Sequence, residues 1–140
     1  MWSACKVDSE YIVSIDDKTS IVDALTDFVI QKEITAGEIS GLGAVNEAAL
    51  RYFNPATKQY VGKVFNEQME ISNLTGNIAV SEGKPLLHLH ITLGRSDYTA
   101  IAGHLMDAKV RGACELFVRP LDTIAEKTFD PEIGLKFYDF

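Results

Sequence analysis

The reading of the fold turns on Pro85-Leu86-Leu87-His88-Leu89-His90-Ile91-Thr92-Leu93-Gly94, followed after a short polar stretch by Ala100-Ile101-Ala102-Gly103-His104-Leu105. In the first run Leu87, Leu89, Ile91 and Leu93 share one parity, and His88, His90 and Thr92 share the other. That is the period-two pattern of a half-buried strand, with both imidazoles on its non-core face. The second run alternates as well, Ile101 and Leu105 against Ala100, Ala102 and His104. With Arg95-Ser96-Asp97-Tyr98 between them, the two runs read as the arms of a β-hairpin. Register decides where His104 points, because a slip of one residue turns every side chain of a strand to the opposite face. Pairing odd positions with odd puts Ile101 and Leu105 on the apolar side and brings His104 opposite His88 or His90. Directly opposed residues have Cβ atoms about 4.5–5.5 Å apart, so the three histidines of the protein are expected to converge on one point.

Converging neutral imidazoles suit a borderline-soft divalent ion, and three protein ligands with an open fourth position is the arrangement of catalytic zinc. His88, His90 and His104 are therefore the expected ligands, and zinc, or another divalent transition metal, the expected ion. The plainer alternative is that these side chains cover a sheet face and hydrogen-bond carbonyls.

A further strand is expected over Lys109 to Arg119, with Val110, Cys114, Leu116 and Val118 on one parity and Lys109, Arg111, Glu115, Phe117 and Arg119 on the other. This makes Cys114 a core thiol rather than a nucleophile. Glu115 would emerge on the histidine side of the sheet, as a further ligand, an acceptor orienting an imidazole, or a general base; an exposed carboxylate balancing Arg111 or Arg119 is the alternative. Gly41 and Gly43 lack the third glycine and the following helix of a nucleotide-binding loop, so they read as close backbone packing or a bulge.

At 140 residues the chain fits one domain with a real core, and 46% hydrophobic and 24% charged residues are those of a soluble globule. A formal charge of −7 opposes sequence-independent binding to nucleic acid, which depends on Lys and Arg at phosphates. Lys109 and Arg111 are the one suggestive basic pair. Two cysteines, Cys5 and Cys114, are too few for a disulfide framework and are expected as reduced thiols. No run approaches the ~20 apolar residues of a membrane helix, and Met1 to Lys6 does not lead into a signal peptide, so a cytoplasmic protein is expected.

Along the chain, Glu10 to Ile15 reads as the first strand. Thr19 or Ser20 caps a helix carrying Ile21, Leu25, Phe28 and Val29 on one face, about four turns long and reaching Lys32 or Ile34. Beyond Gly37 the texture is β: Glu38 to Val45, Ala48 to Phe53, Tyr60 to Phe65, and Met69 onward to Val80, before a turn at Ser81 to Pro85. Leu121 to Phe129 reads as a short helix or loop. The apolar end, Leu135, Phe137, Tyr138 and Phe140, is expected to dock as a last strand or to cover the sheet, here or on a neighbouring subunit.

Gly41-Leu42-Gly43-Ala44-Val45, Tyr52-Phe53, Glu70-Ile71-Ser72-Asn73-Leu74-Thr75-Gly76-Asn77-Ile78, Gly83-Lys84-Pro85, His88-Leu89-His90 and Gly103-His104-Leu105 together resemble the plants-and-prokaryotes-conserved (PPC) domain family. The resemblance runs over about residues 10–119, within a single domain 1–140 whose residues 120–140 form a C-terminal extension. It implies an α+β (α/β) fold, a largely antiparallel sheet with one main helix packed on it, and assembly as a homotrimer. It also implies a metal site made by the histidines of the His-x-His strand and of Gly-His-Leu, here His88, His90 and His104. Plant members carry AT-hook segments that bind A/T-rich DNA, and bacterial members are often labelled DNA-binding for that reason. This chain has no Arg-Gly-Arg-Pro hook, and Ala102 replaces a glycine common before Gly-His-Leu. Two functional classes follow: a metal-binding protein or metal-dependent enzyme acting on a small polar substrate, and a DNA-binding or regulatory protein acting through its trimer surface.

Overall fold

The computed structural model describes residues 1–140, with 66% of them in strands and a single α-helix. The architecture is thus β-rich rather than a balanced α+β. In chain order the elements are β1 (Trp2–Val7), β2 (Glu10–Ile15), α1 (Ile21–Gln31), β3 (Gly37–Asn54), β4 (Gln59–Phe65), β5 (Met69–Ser81), β6 (Lys84–Gly94), β7 (Ala100–Pro120), β8 (Lys127–Asp130) and β9 (Leu135–Tyr138). Seven strands form one antiparallel sheet in the order β1-β2-β7-β6-β5-β3-β4, with β3 also paired to β7. The pairings β3–β5, β5–β6, β6–β7 and β7–β3 therefore close on themselves, which removes the free edges these four strands would otherwise expose. One cluster of 25 buried residues fills the interior, and α1 supplies Ile21, Ala24, Leu25, Phe28 and Val29 to it.

The helix begins where the residues require it. Ser20 has extended backbone and its side chain accepts a hydrogen bond from Asp23 N at 3.0 Å, satisfying one of the free amides of the first turn. It ends at Gln31, about three turns rather than four, because Glu33 takes a left-handed conformation (φ 54°) and Ile34 N returns to the Val29 carbonyl. A strand precedes the one expected first: β1 pairs with β2 from Trp2↔Ile15 to Val7↔Glu10. It carries no buried residue, hence no apolar alternation to read.

The two segments expected between Glu38 and Phe53 are one strand of 18 residues, and Lys109 to Arg119 belongs to a strand of 21. Both are bent by bulges. In β7, Leu105 lies opposite Leu50 and Asp107 opposite Ala49, so Met106 is an extra residue. The buried positions change parity across it, from Leu105 to Ala108, Val110, Cys114, Leu116 and Val118. Asn46 does the same for β3, between buried Val45 and Ala48. Gly41 and Gly43 sit where β3 crosses β7 closely: a Cβ on Gly41 would stand 2.6 Å from the Glu115 carbonyl oxygen, and Gly43 has φ +155° with the Ala113 carbonyl in the way. Close approach and a bulge, not a phosphate loop, account for both.

The C-terminal part contains no helix between Leu121 and Phe129. A loop leads into β8, which pairs with β9 as a separate two-stranded ribbon. That ribbon is held to the main sheet by Val80 N donating to the Ala125 carbonyl at 2.8 Å and by a bridge between Val80 and Glu126. No helix is long and apolar enough to cross a membrane.

Candidate metal centre

Strands β6 and β7 pair odd with odd, Leu93↔Ile101 and Ile91↔Gly103, and His90 stands directly opposite His104. Leu89, Ile91 and Leu93 are buried on the other face. This core holds the imidazole row in place: a half-turn of β6 would expose three leucine or isoleucine side chains, each worth about 1.5–3 kcal/mol of burial. His88, two residues from His90, completes the set. Ring centroids of His88 and His90 are 5.1 Å apart, those of His88 and His104 5.1 Å, and those of His90 and His104 5.5 Å. One ring nitrogen from each residue lies within 4.8 Å of the other two. Tetrahedral zinc with Zn–N near 2.0–2.1 Å needs nitrogens about 3.3–3.4 Å apart, a closure of about 1.5 Å or less that imidazole rotation supplies.

Neighbouring strands complete the surroundings. Gly76 of β5 lies beside His88, so close that a Cβ there would land on the His88 carbonyl oxygen. On the far side of His104, β3 places Arg51 opposite it. An Arg51 Nη lies 3.3 Å from His104 Nε2, and the guanidinium stacks on Tyr60 with its carbon 3.9 Å from the ring centre. A guanidinium only donates, so Nε2 accepts and His104 is neutral with its proton on Nδ1. Nδ1 is buried and has no hydrogen-bond partner, and neither has Arg51 Nε. Both are N–H donors, so what they lack is an acceptor rather than a cation; a metal ion would be taken through the Nε2 lone pair of His104 in exchange for its contact with Arg51.

Burial, then the Arg51 charge and the two other imidazoles, push His104 down to about 4. Burial, then Lys127 and His90, lower His88. Both rings are therefore held in the deprotonated form that metal ligation requires. Three nitrogen donors without a carboxylate suit a borderline divalent ion better than magnesium or calcium.

Beside the histidines lies a cleft of about 360 Å³ whose far wall is the β8–β9 ribbon. Lys127 lies in it at 6% exposure, its Nζ donating to Asn77 Oδ1 at 3.1 Å and resting 4.3 Å from the Tyr138 ring centre. Burial lowers its pKa.

The other expected site residues fall elsewhere. Glu115 is opposite Ser14 and Leu42, a run of roughly 35 Å of strand from His104, and does not join the imidazoles. It stays on the non-core face as expected, but the length of β7 carries it away. Arg111 is paired with Asp17 at 2.9 Å, which takes it out of the basic pair with Lys109. Cys114 is fully buried with its thiol pushed up to about 12 by burial, and Cys5 is free and exposed. Sequence reasoning missed Arg51, Tyr60 and Lys127, since only tertiary pairing brings them to the histidines.

Residues 3–122 match the Plants and Prokaryotes Conserved (PCC) domain. Among solved structures, a protein from Bacteroides thetaiotaomicron whose description reads "putative dna binding protein" is 51% identical with a TM-score of 0.98, the match covering 100% of this chain and 98% of that one. A metal-containing protein from Archaeoglobus fulgidus is 33% identical with a TM-score of 0.88, covering 100% and 97%. A plant- and prokaryote-conserved protein from Pyrococcus horikoshii, 21% identical, shares the fold with a TM-score of 0.86 over 100% and 95% of the two chains. No curated protein matches the chain.

Proposed function

We propose, for a chain that belongs to the Plants and Prokaryotes Conserved domain family, that it binds one divalent transition-metal ion per chain, zinc first, through His88, His90 and His104. The observation that carries this reading is the triangle of ring nitrogens within 4.8 Å on one face of β6 and β7. The metal-containing relative from Archaeoglobus fulgidus supports it. A bound ion of this kind supplies Lewis acidity and lowers the pKa of coordinated water. The chain's own residues hold three imidazole nitrogens together, keep one side open through exposed His90, and flank the site with the Arg51 charge. No carboxylate lines the adjoining cleft, so the proton-transfer role considered for Glu115 has no occupant there. Assembly as a homotrimer is part of the same reading, on the strength of the family resemblance.

The test is metal analysis of protein purified without a histidine tag. About one ion per chain is expected, falling to background in His90→Ala with the far-UV spectrum unchanged; full occupancy in that variant would refute the assignment. The description of the Bacteroides thetaiotaomicron relative favours DNA as a second reading. Against it stand the charge of −7 and the pairing of Arg95, Arg111 and Arg119 to carboxylates. Titration with duplex DNA at moderate salt decides it, since even non-specific binders reach about 10⁻⁴–10⁻⁶ M.

A further inference from the structure

The cleft beside the histidines has the wrong charge for its protein. The chain as a whole carries −7, yet no lining residue is acidic, and Arg51, Lys127 and Lys136 all contribute to the walls. Of the four arginines, Arg95, Arg111 and Arg119 each bind a carboxylate, while Arg51 binds none. Its Nε is buried without a partner. Lys127 is nearly as unusual, an ammonium at 6% exposure whose polar contact is the neutral Asn77 amide. Lys136 lies opposite Phe129 on β9, its Nζ 2.8 Å from Ser81 Oγ. Gathering like charges costs energy, and a cation held by the histidines would add to that cost. An anion offsets all of it at once. The rest of the lining is apolar, from Leu86, Leu87, Phe129 and Leu135, and a volume of about 360 Å³ is that of a small-molecule site.

We propose that this cleft binds a small organic acid, its carboxylate taken by Arg51 with Lys127 beside it and the Lys136 charge further along the wall, and its aliphatic body lying against Leu86, Leu87 and Phe129. The guanidinium is the group best shaped for a carboxylate, and its unpartnered Nε–H is one of the donors such a bond would use. The C-terminal ribbon, which lies beyond the residues matched to the family, acquires a role: it supplies two of the three cations and one apolar wall. The inference deepens the metal reading and rests on it only for the ion's added charge, because the cations line the cleft with or without an ion.

Sodium valerate, acetate and inorganic phosphate are titrated separately into the full chain, before and after removal of metal with a chelator. Binding is followed by NMR through the side-chain Nε–H resonance of Arg51, and zinc content is measured on the same samples. Saturable displacement of that resonance by valerate is expected in the metal-free chain, with weaker binding of acetate, which lacks the aliphatic body. Zinc should tighten valerate, and valerate should tighten zinc by the same factor. Arg51→Met should weaken valerate about tenfold in the metal-free chain, read by calorimetry. Lys136→Met, an exposed position that does not threaten folding, should weaken it about two- to threefold. Zinc binding without any valerate response would overturn the anion site and leave the metal reading standing; valerate binding without zinc would do the reverse. Phosphate binding as tightly as valerate, or acetate matching valerate, would overturn the organic-acid assignment.

Discussion

Deleting Met106 should destroy the histidine triangle while leaving most of the core intact. Met106 is the extra residue that lets β7 present His104 outward and, beyond it, Val110, Cys114, Leu116 and Val118 inward. Without it, one half of β7 must turn over. Turning the second half would expose four side chains that are now at most 1% exposed, a cost of about 6–12 kcal/mol at 1.5–3 kcal/mol each. Turning the first half exposes Leu105 and half-buried Ile101, about 2–5 kcal/mol, and forces the His104 ring inward at about 1–3 kcal/mol more. The first half is therefore the one to give way, at about 5 kcal/mol. A chain of this length unfolds with an entropy near 0.3 kcal/mol per kelvin, so the melting temperature should fall by about 15 °C. The assay is thermal unfolding by circular dichroism together with zinc calorimetry. Met106→Ala, which keeps the residue count and removes an exposed side chain, should melt close to the parent and bind zinc normally. A deletion variant that binds zinc normally and melts within 3 °C of the parent, roughly 1 kcal/mol, would refute the bulge argument.

Gly76→Ala should drive β5 and β6 apart at His88, weakening zinc binding and costing about 1–3 kcal/mol as overpacking, measurable by urea unfolding with and without metal. For metal-free protein, His104 is held at about 4 against an ordinary value near 6.5, so the unfolded chain takes up protons first; stability is unaffected above about 6.5, falls with pH down to about 4, and levels off below. Urea midpoints between pH 7 and pH 4 check this, and a His104→Asn chain that loses stability just as steeply would sink it. A maleimide at pH 8 should take up one equivalent per native chain, at exposed Cys5, and a second only in denaturant, because the Cys114 thiol is buried and pushed up to about 12.

The histidine centre was legible because two independent constraints met in one short segment. The leucines of β6 set which face is buried, and Ile101 and Leu105 set the register of the returning arm, so the position of His104 followed from local sequence alone. The same alternation located Cys114 in the core. Where a strand's partner lay far along the chain, that reasoning had nothing to hold. Arg51 meets His104 only because β3 pairs with β7, and the register depends on bulges at Asn46 and Met106 that no local pattern announces. Glu115 was assigned the correct face but not its distance, since parity says which side a residue occupies and not how far along. β1 went unread because an edge strand without buried residues has no alternation. The helix was placed from its cap and apolar spacing, and overextended because a left-handed Glu33 ended it before any glycine.

The β8–β9 ribbon separates two inheritances within one site. The imidazoles belong to the hairpin of β6 and β7, inside the residues matched to the family, whereas the opposite bank of the cleft comes from the final eighteen residues, 123–140. On the proposed function, changes confined to that tail would alter which molecule is admitted and in what pose while the three imidazoles stay untouched. Divergence among relatives in that tail would mark differences in diet rather than in chemistry.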